Sequence, residues 1–349
     1  MIHRLDSATQ TIFAELLERS IHFEASNILG AAGSGSLVEK RIKGRKYWYI
    51  QKSEGREKRQ LYVGPDSEPL REWITQVHEE RGKNQVQREE LIRLCAMVVS
   101  GGVSRESAGF VKVLEILAEA EVFRLGGVLI GTVAYRALGT TLGVEFDEAA
   151  LRTQDIDIAQ EPDLAVGLVR GAEYGKAGER LLGSNLGIQP IPALDPRSPS
   201  TSYSIRSRNL RVDFLVPARG SQKSETVFLP AFGLSATPLR FLEFLVESPI
   251  QTVVVGSRPV LVNVPDPARF ALHKVYSAIA RSASFQTKAA KDLRQASSLI
   301  EVLAEDRPDD LARAWHALQA YPRVSQRVRK AIGRLGERAA ADLIRIVDG

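Results

Sequence analysis

Residues 153–159 read Thr-Gln-Asp-Ile-Asp-Ile-Ala, and the alternation of acid with isoleucine suits a strand better than any other conformation. As a strand it sends Ile156 and Ile158 into an apolar layer and turns Asp155 and Asp157 to the opposite face. Two carboxylates on one face of a sheet resist ionising together unless a cation lies between them. Their hard oxygens predict a grip on one or two divalent cations. Residues 210–216 repeat the pattern, with Val212, Phe214 and Val216 on one face and Asp213 on the other, which offers a third carboxylate. Taken singly, each of these acids would read as a solvated strand edge.

Residues 126–139 form a short apolar run, then Gly131-Thr132, then a pattern that suits a helix. Glycine lets the backbone approach a ligand closely, the first amides of a helix attract anions, and the Thr132 hydroxyl adds to them. Such a turn suits a triphosphate, although a Gly-Thr before a helix also serves as a simple cap.

The order of these pieces resembles the polymerase-β-like nucleotidyltransferase superfamily, whose pattern is a Gly-Ser or Gly-Gly turn, an Asp-x-Asp strand and a later single Asp. Gly131 and Thr132 match the phosphate turn, Asp155 and Asp157 the paired metal ligands, and Asp213 the third carboxylate. Thr132 stands where serine is more usual. Within the superfamily the chain looks most like bacterial stand-alone nucleotidyltransferase-fold proteins related to abortive-infection-type toxins, over roughly residues 104–305. The interval between Thr132 and Asp155 is long for the family and includes residues 143–148, expected to be a loop extension over the site. The resemblance implies that Lys274 contacts the triphosphate and that a Lys291-Asp292 pair supports the site. For Arg281 and Lys288 a phosphate contact and a solvated helix face remain equally open.

Composition narrows the remaining classes. One cysteine, Cys95, excludes an internal disulfide and a Cys-rich zinc site, and the five histidines lack metal-ligand spacing. No run is long enough to span a bilayer and the first residues lack a signal-peptide core, so a cytoplasmic protein with no membrane partner is expected. The net charge of +5 and a pI near 9.3 permit a polyanionic partner.

In chain order, residues 7–29 predict a helix with Ser7 or Thr9 as its cap, and the small residues of 30–36 a linker. Residues 37–64 predict a three-stranded meander in which cations outnumber Glu39, Glu54 and Glu57 and aromatics are interleaved. Arg45, Lys46, Trp48 and Lys52 there offer a nucleic-acid surface of cations for phosphates and a ring for bases. The competing reading is a small aromatic core with lysine-guarded edges. A long charged helix is expected over 68–100, interrupted or bent near Gly82, and an apolar stripe of Phe110, Val113, Leu114 and Leu117 over 107–120. Hairpins follow over 203–216 and 252–264, the second extending the sheet. After Pro265 come a helix buried through Leu272, Val275, Tyr276 and Ile279, a second helix over 287–305, and two more over 309–348. The last carry Arg323, Arg327, Arg329, Lys330, Arg334 and Arg338, either a solvated face or a guide for RNA.

The expected fold is therefore α+β (mixed α/β): a polymerase-β-like nucleotidyltransferase sheet with helices, followed by a helical C-terminal domain and preceded by a helix and a small β-meander. The divisions are 1–35, 36–65, a helical connector at 66–103, a catalytic domain at 104–265 and a helical domain at 266–349. The resemblance implies Mg²⁺ or Mn²⁺ as cofactor and an NTP as substrate. The acceptor is expected to be RNA, with a tRNA 3′ end, a toxin or defence role and a cognate antitoxin as the toxin relatives suggest. Transfer to a protein or a small molecule is the enzymatic alternative. A nucleic-acid-binding protein that keeps the fold without the chemistry is the other.

Overall fold

The computed structural model describes residues 2–29, 36–42, 45–54, 57–146, 153–161, 175–193, 195–205, 209–220, 226–281 and 285–348. Among them no helix is long and apolar enough to cross a membrane.

Strand β1 (Ile2–Arg4) leads into helix α1 (Ser7–Leu29). The helix is capped by Asp6, whose Oδ1 accepts from the Thr9 amide at 2.7 Å, and not by Ser7 or Thr9. Strands β2 (Ser36–Ile42), β3 (Arg45–Glu54) and β4 (Glu57–Pro65) make an antiparallel meander in that order. The expected linker at 30–35 and the turns at Gly44 and Gly55 lie outside the described residues. Helix α2 (Glu68–Ser100) runs uninterrupted through Gly82, because one glycine costs a long helix only about 1 kcal/mol.

Helix α3 (Ala108–Glu119), capped by Ser107, buries Phe110, Val113, Leu114 and Leu117 as its spacing predicts, together with Val111 and Ile116. The chain then enters β5 (Gly127–Ile130), helix α4 (Gly131–Thr141), β6 (Val144–Phe146) and β7 (Asp155–Gln160). Residues 144–146, expected to form a loop over the site, are instead a strand paired antiparallel with β1. Their alternating apolar residues Val144 and Phe146 are buried, Phe146 stacked on Tyr135 at 4.3 Å between centroids.

Helix α5 (Ala177–Leu182) and strands β8 (Ile188–Pro190), β9 (Ser202–Ile205), β10 (Leu210–Pro217), β11 (Val227–Leu229) and β12 (Leu234–Leu239) follow. The central sheet has seven strands along the path β11-β12-β10-β7-β5, with β9 and β8 branching from β10. β10 runs parallel to β7 and to β12 and antiparallel to β9, so its first half borders β9 and its second half β12. Ile156, Ile158, Val212 and Phe214 are buried to 1% exposure or less beneath this sheet. Burying each is worth about 1.5–3 kcal/mol, and a slip of one residue would turn all four outward. The apolar face thus fixes the register of the acidic one.

After helix α6 (Leu242–Val246), strands β13 (Ile250–Val254) and β14 (Val260–Val264) pair only with each other, as a separate two-stranded sheet, and do not extend the central one. Val253 and Val255 instead close a second core with Leu5, Phe13 and Leu16 of the N-terminal region and Leu91, Cys95 and Val98 of α2. Helices α7 (Pro267–Ala280) and α8 (Gln286–Asp306) pack side by side. Three further helices, not two, complete the chain: α9 (Pro308–Gln319), α10 (Pro322–Ala331) with a 3-10 turn at Ile332–Arg334, and α11 (Glu337–Asp348). Pro322 ends α9's run and starts the next helix, a break that the apolar periodicity alone does not reveal.

Candidate active site

The parallel register of β7 and β10 sets Asp157 opposite Asp213 and Asp155 opposite Arg211. Since Ile156 and Val212 are buried between them, all four charged side chains leave the same face of the sheet. On the other side of β7, β5 runs antiparallel with Ile130 opposite Asp157. The next residue, Gly131, has φ +75° and begins α4. A Cβ on Gly131 would collide with Oδ2 of Asp157, so only glycine lets the turn lie against that carboxylate. No side chain caps the first turn of α4, and Thr132 within it is buried. The Gly131 turn and Asp157, separated along the chain, therefore meet at one point.

Burial raises the Asp157 carboxyl to about 6, and the neighbouring carboxylates of Asp213 and Asp155 push in the same direction. Lys274 and Lys288 oppose them. Asp213 is held from two sides: the Ser202 hydroxyl donates to its Oδ1, and Arg211 Nε donates to the same oxygen at 2.7 Å. Arg211 Nη2 also donates to Ser202 Oγ at 2.9 Å, closing a three-membered network. Ser202 reaches Asp213 because the β9–β10 register places the two opposite each other.

The helical wall is built around Asp292, which is 3% exposed. Lys274 Nζ donates to its Oδ1 at 2.7 Å and Arg281 Nε to its Oδ2 at 2.8 Å. Asp292, which the resemblance assigns a supporting role together with Lys291, thus bridges Lys274 and Arg281. Burial and Lys274 lower the Lys291 amine, while Asp292 and Asp155 pull it up. Lys274 and Lys288 thus act on Asp157, and Lys291 responds to Asp155, so α7 and α8 present their cations to the acidic face. Phe285, half exposed, precedes α8 one turn before Lys288.

Three carboxylates are a hard donor set suited to Mg²⁺ or Mn²⁺. The register of β7 and β10 brings the three carboxylates to one face of the sheet. The side chains do not close on such an ion: among the described residues no three His, Cys, Asp or Glu side chains are grouped to hold a metal. Arg211 and Ser202 both engage Oδ1 of Asp213.

In the meander, Trp48 Nε1 donates to Asp66 Oδ1 at 3.1 Å and Lys46 pairs with Glu39 at 3.1 Å. Both are engaged within their own subdomain. The side chains of Arg45 and Lys52 lie outside the described residues. Arg211 and Ser202 were missed by the sequence reading, although the same two-residue alternation that exposes Asp213 also exposes Arg211. Finding Ser202 required the hairpin register.

A family model described as Nucleotidyltransferase matches residues 109–320, a span that contains the phosphate turn, all three carboxylates and the Lys274–Asp292 bridge. The chain belongs to this nucleotidyltransferase family. It is a transferase of nucleotidyl groups. No curated protein and no solved structure matches it.

Proposed function

We propose that the protein transfers an NMP from an NTP to a hydroxyl of an RNA acceptor, with Mg²⁺ or Mn²⁺ held by Asp155, Asp157 and Asp213. The observation that carries this reading is the facing of Asp157 and Asp213 across β7 and β10 with Gly131 pressed against the same carboxylate. When bound, the cations polarise the α-phosphate and neutralise charge on the leaving group. Gly131, Thr132 and the first amides of α4 hold the triphosphate. Asp213 accepts the proton of the acceptor hydroxyl as its oxygen bonds to the α-phosphorus. The bond to the β-phosphate oxygen breaks and pyrophosphate departs toward Lys274, Lys288 and Lys291.

In this reading residues 104–265 form the catalytic domain and 266–349 the helical wall, with the basic meander at 36–65 as an accessory RNA surface. A tRNA 3′ end is the acceptor that the toxin resemblance suggests, and growth arrest on expression, relieved by Asp155→Ala, is its cellular counterpart. The test is incubation with each α-labelled NTP, Mg²⁺ or Mn²⁺ and total RNA. Label should enter RNA with the native protein and fall by at least about 100-fold with Asp155→Ala, the scale of losing a main electrostatic contributor. Undiminished labelling by Asp155→Ala overturns the assignment.

A further inference from the structure

Beyond the span matched by the family, α10 and the 3-10 turn that continues it bury Val328, Ala331 and Ile332. To one side of that buried face, Arg323, Arg327, Lys330 and Arg334 are all exposed. Spacings of four, three and four residues bring them into a single row. Nearby arginines are neutralised: Arg329 by Asp348, Arg338 by Glu305 at 3.0 Å, and Arg345 by Asp342 at 3.0 Å. None of the four in the row pairs with an acidic side chain among the described residues.

The row works against its own helix. Successive members are like charges at i, i+3 or i+4, and Arg323 lies in the first turn, where the helix dipole disfavours a cation. No acidic residue occupies that turn to compensate. Lys330, in the last turn, suits the helix dipole, but the repulsion along the row and the misplaced Arg323 are uncompensated within α10, and an external polyanion relieves both.

The position of the helix ties it to the site. It packs against α7, which carries Lys274. Tyr321, at the start of α10, lies edge-on to Phe241 at 5.2 Å, and Phe241 stacks on His273 of α7 at 5.6 Å. From Arg323 to Arg334 the row extends roughly 16 Å at about 1.5 Å per residue. A nucleic-acid strand carries one phosphate charge per nucleotide, so a row of this length can meet more than one phosphate. No large apolar side chain in 322–334 is exposed, so the helix lacks the apolar face with which an amphipathic helix enters a lipid surface.

We infer that Arg323, Arg327, Lys330 and Arg334 form a docking rail for the phosphodiester backbone of RNA, holding the acceptor beside the transfer site. This rests on the RNA-acceptor reading above and assigns that acceptor a surface outside the catalytic sheet. The rail reads charge and not bases, so its signature is the salt dependence of binding.

The experiment measures fluorescence anisotropy of a labelled RNA hairpin with a single-stranded 3′ end, over a range of salt, with neither NTP nor divalent metal present. The proteins are the native chain, a variant with all four cations changed to Gln, each single Gln variant, and an Arg338→Gln/Arg345→Gln control. Each lost phosphate contact removes about 0.7–0.9 from the log–log salt slope, so the fourfold variant should flatten it by roughly 3 and each single variant by somewhat under 1. The single variants keep the test decisive if the fourfold one fails to fold. The Arg338→Gln/Arg345→Gln control, whose arginines are already paired with acids, should retain the native slope. An unchanged slope in the rail variants, or rail-dependent binding to vesicles containing phosphatidylglycerol without binding to RNA, overturns the inference. Rail-dependent RNA binding by a protein that transfers no nucleotide would instead sink the proposed function and leave the rail standing.

Discussion

Asp157 and Asp213 stand at facing positions on parallel strands, 55 residues of intervening chain apart, because Ile156 and Val212 beside them share one buried layer. Burial disfavours the Asp157 carboxylate, and the facing Asp213 adds to that cost.

Asp157→Asn should stabilise the metal-free protein at neutral pH. The carboxyl titrates at 3.8 when unfolded and about 6 when folded, so the folded state binds the extra proton between those values. Stability supplied by the protonated form is complete below about pH 4 and is lost as pH rises through 6. At about 1.4 kcal/mol per pKa unit, the loss reaches up to about 3 kcal/mol. Thermal melts should show the variant above the native protein at pH 7 and the two converging below pH 4. A native protein at least as stable as the variant at pH 7 contradicts the assignment.

Gly131→Ala should damage both stability and function. An L-residue at φ +75° costs about 1–2 kcal/mol, and the added methyl displaces the Asp157 carboxylate. A lower melting temperature together with lost transfer is expected, whereas Thr132→Ser should keep activity because the hydroxyl remains. Wild-type transfer by Gly131→Ala would show that the turn and the carboxylate do not cooperate.

Arg211→Ala should tighten Mn²⁺ binding several-fold, because the guanidinium competes with the cation for Asp213. Calorimetric titration of the native protein, Arg211→Ala and Ser202→Ala measures this. Weaker binding in Arg211→Ala would mean that the arginine orients Asp213 for the metal.

His273→Gln should reduce acid sensitivity. Burial pushes the imidazole down to about 3 from an ordinary 6.5. Its neutral form therefore contributes stability that is lost as pH falls from about 6.5 toward 3, opposite in sign to Asp157 over pH 4 to 6. The variant also loses the stacking on Phe241, worth about 0.5–1.5 kcal/mol, so its melting temperature at pH 7 should be lower and its decline toward pH 4 shallower. An equally steep acid decline would contradict a buried neutral His273.

Much of this was legible in the chain because residues 155–158 and 210–214 alternate acid or arginine with large apolar residues, so one face goes to the core and the acids share the other. The same holds for α3, whose apolar spacing is unambiguous. What escaped depends on partners distant in sequence. Residues 144–146 looked like a loop until β1 supplied a strand to pair with, and β13–β14 looked like an extension of the sheet until its valines were needed beneath α1 and α2. Asp292 illustrates the limit for side chains. Its ion-pair partners Lys274 and Arg281 lie 18 and 11 residues away in sequence and meet it only through the α7–α8 packing.

The most direct test is a crystal soaked with Mn²⁺ and an NTP whose α–β bridge resists hydrolysis. An anomalous peak at carboxylate-coordination distance from Asp155, Asp157 and Asp213, with the triphosphate over Gly131 and Thr132, is the predicted result. Nucleotide bound elsewhere, or no manganese at the three carboxylates while Arg211 still holds Asp213, would contradict it.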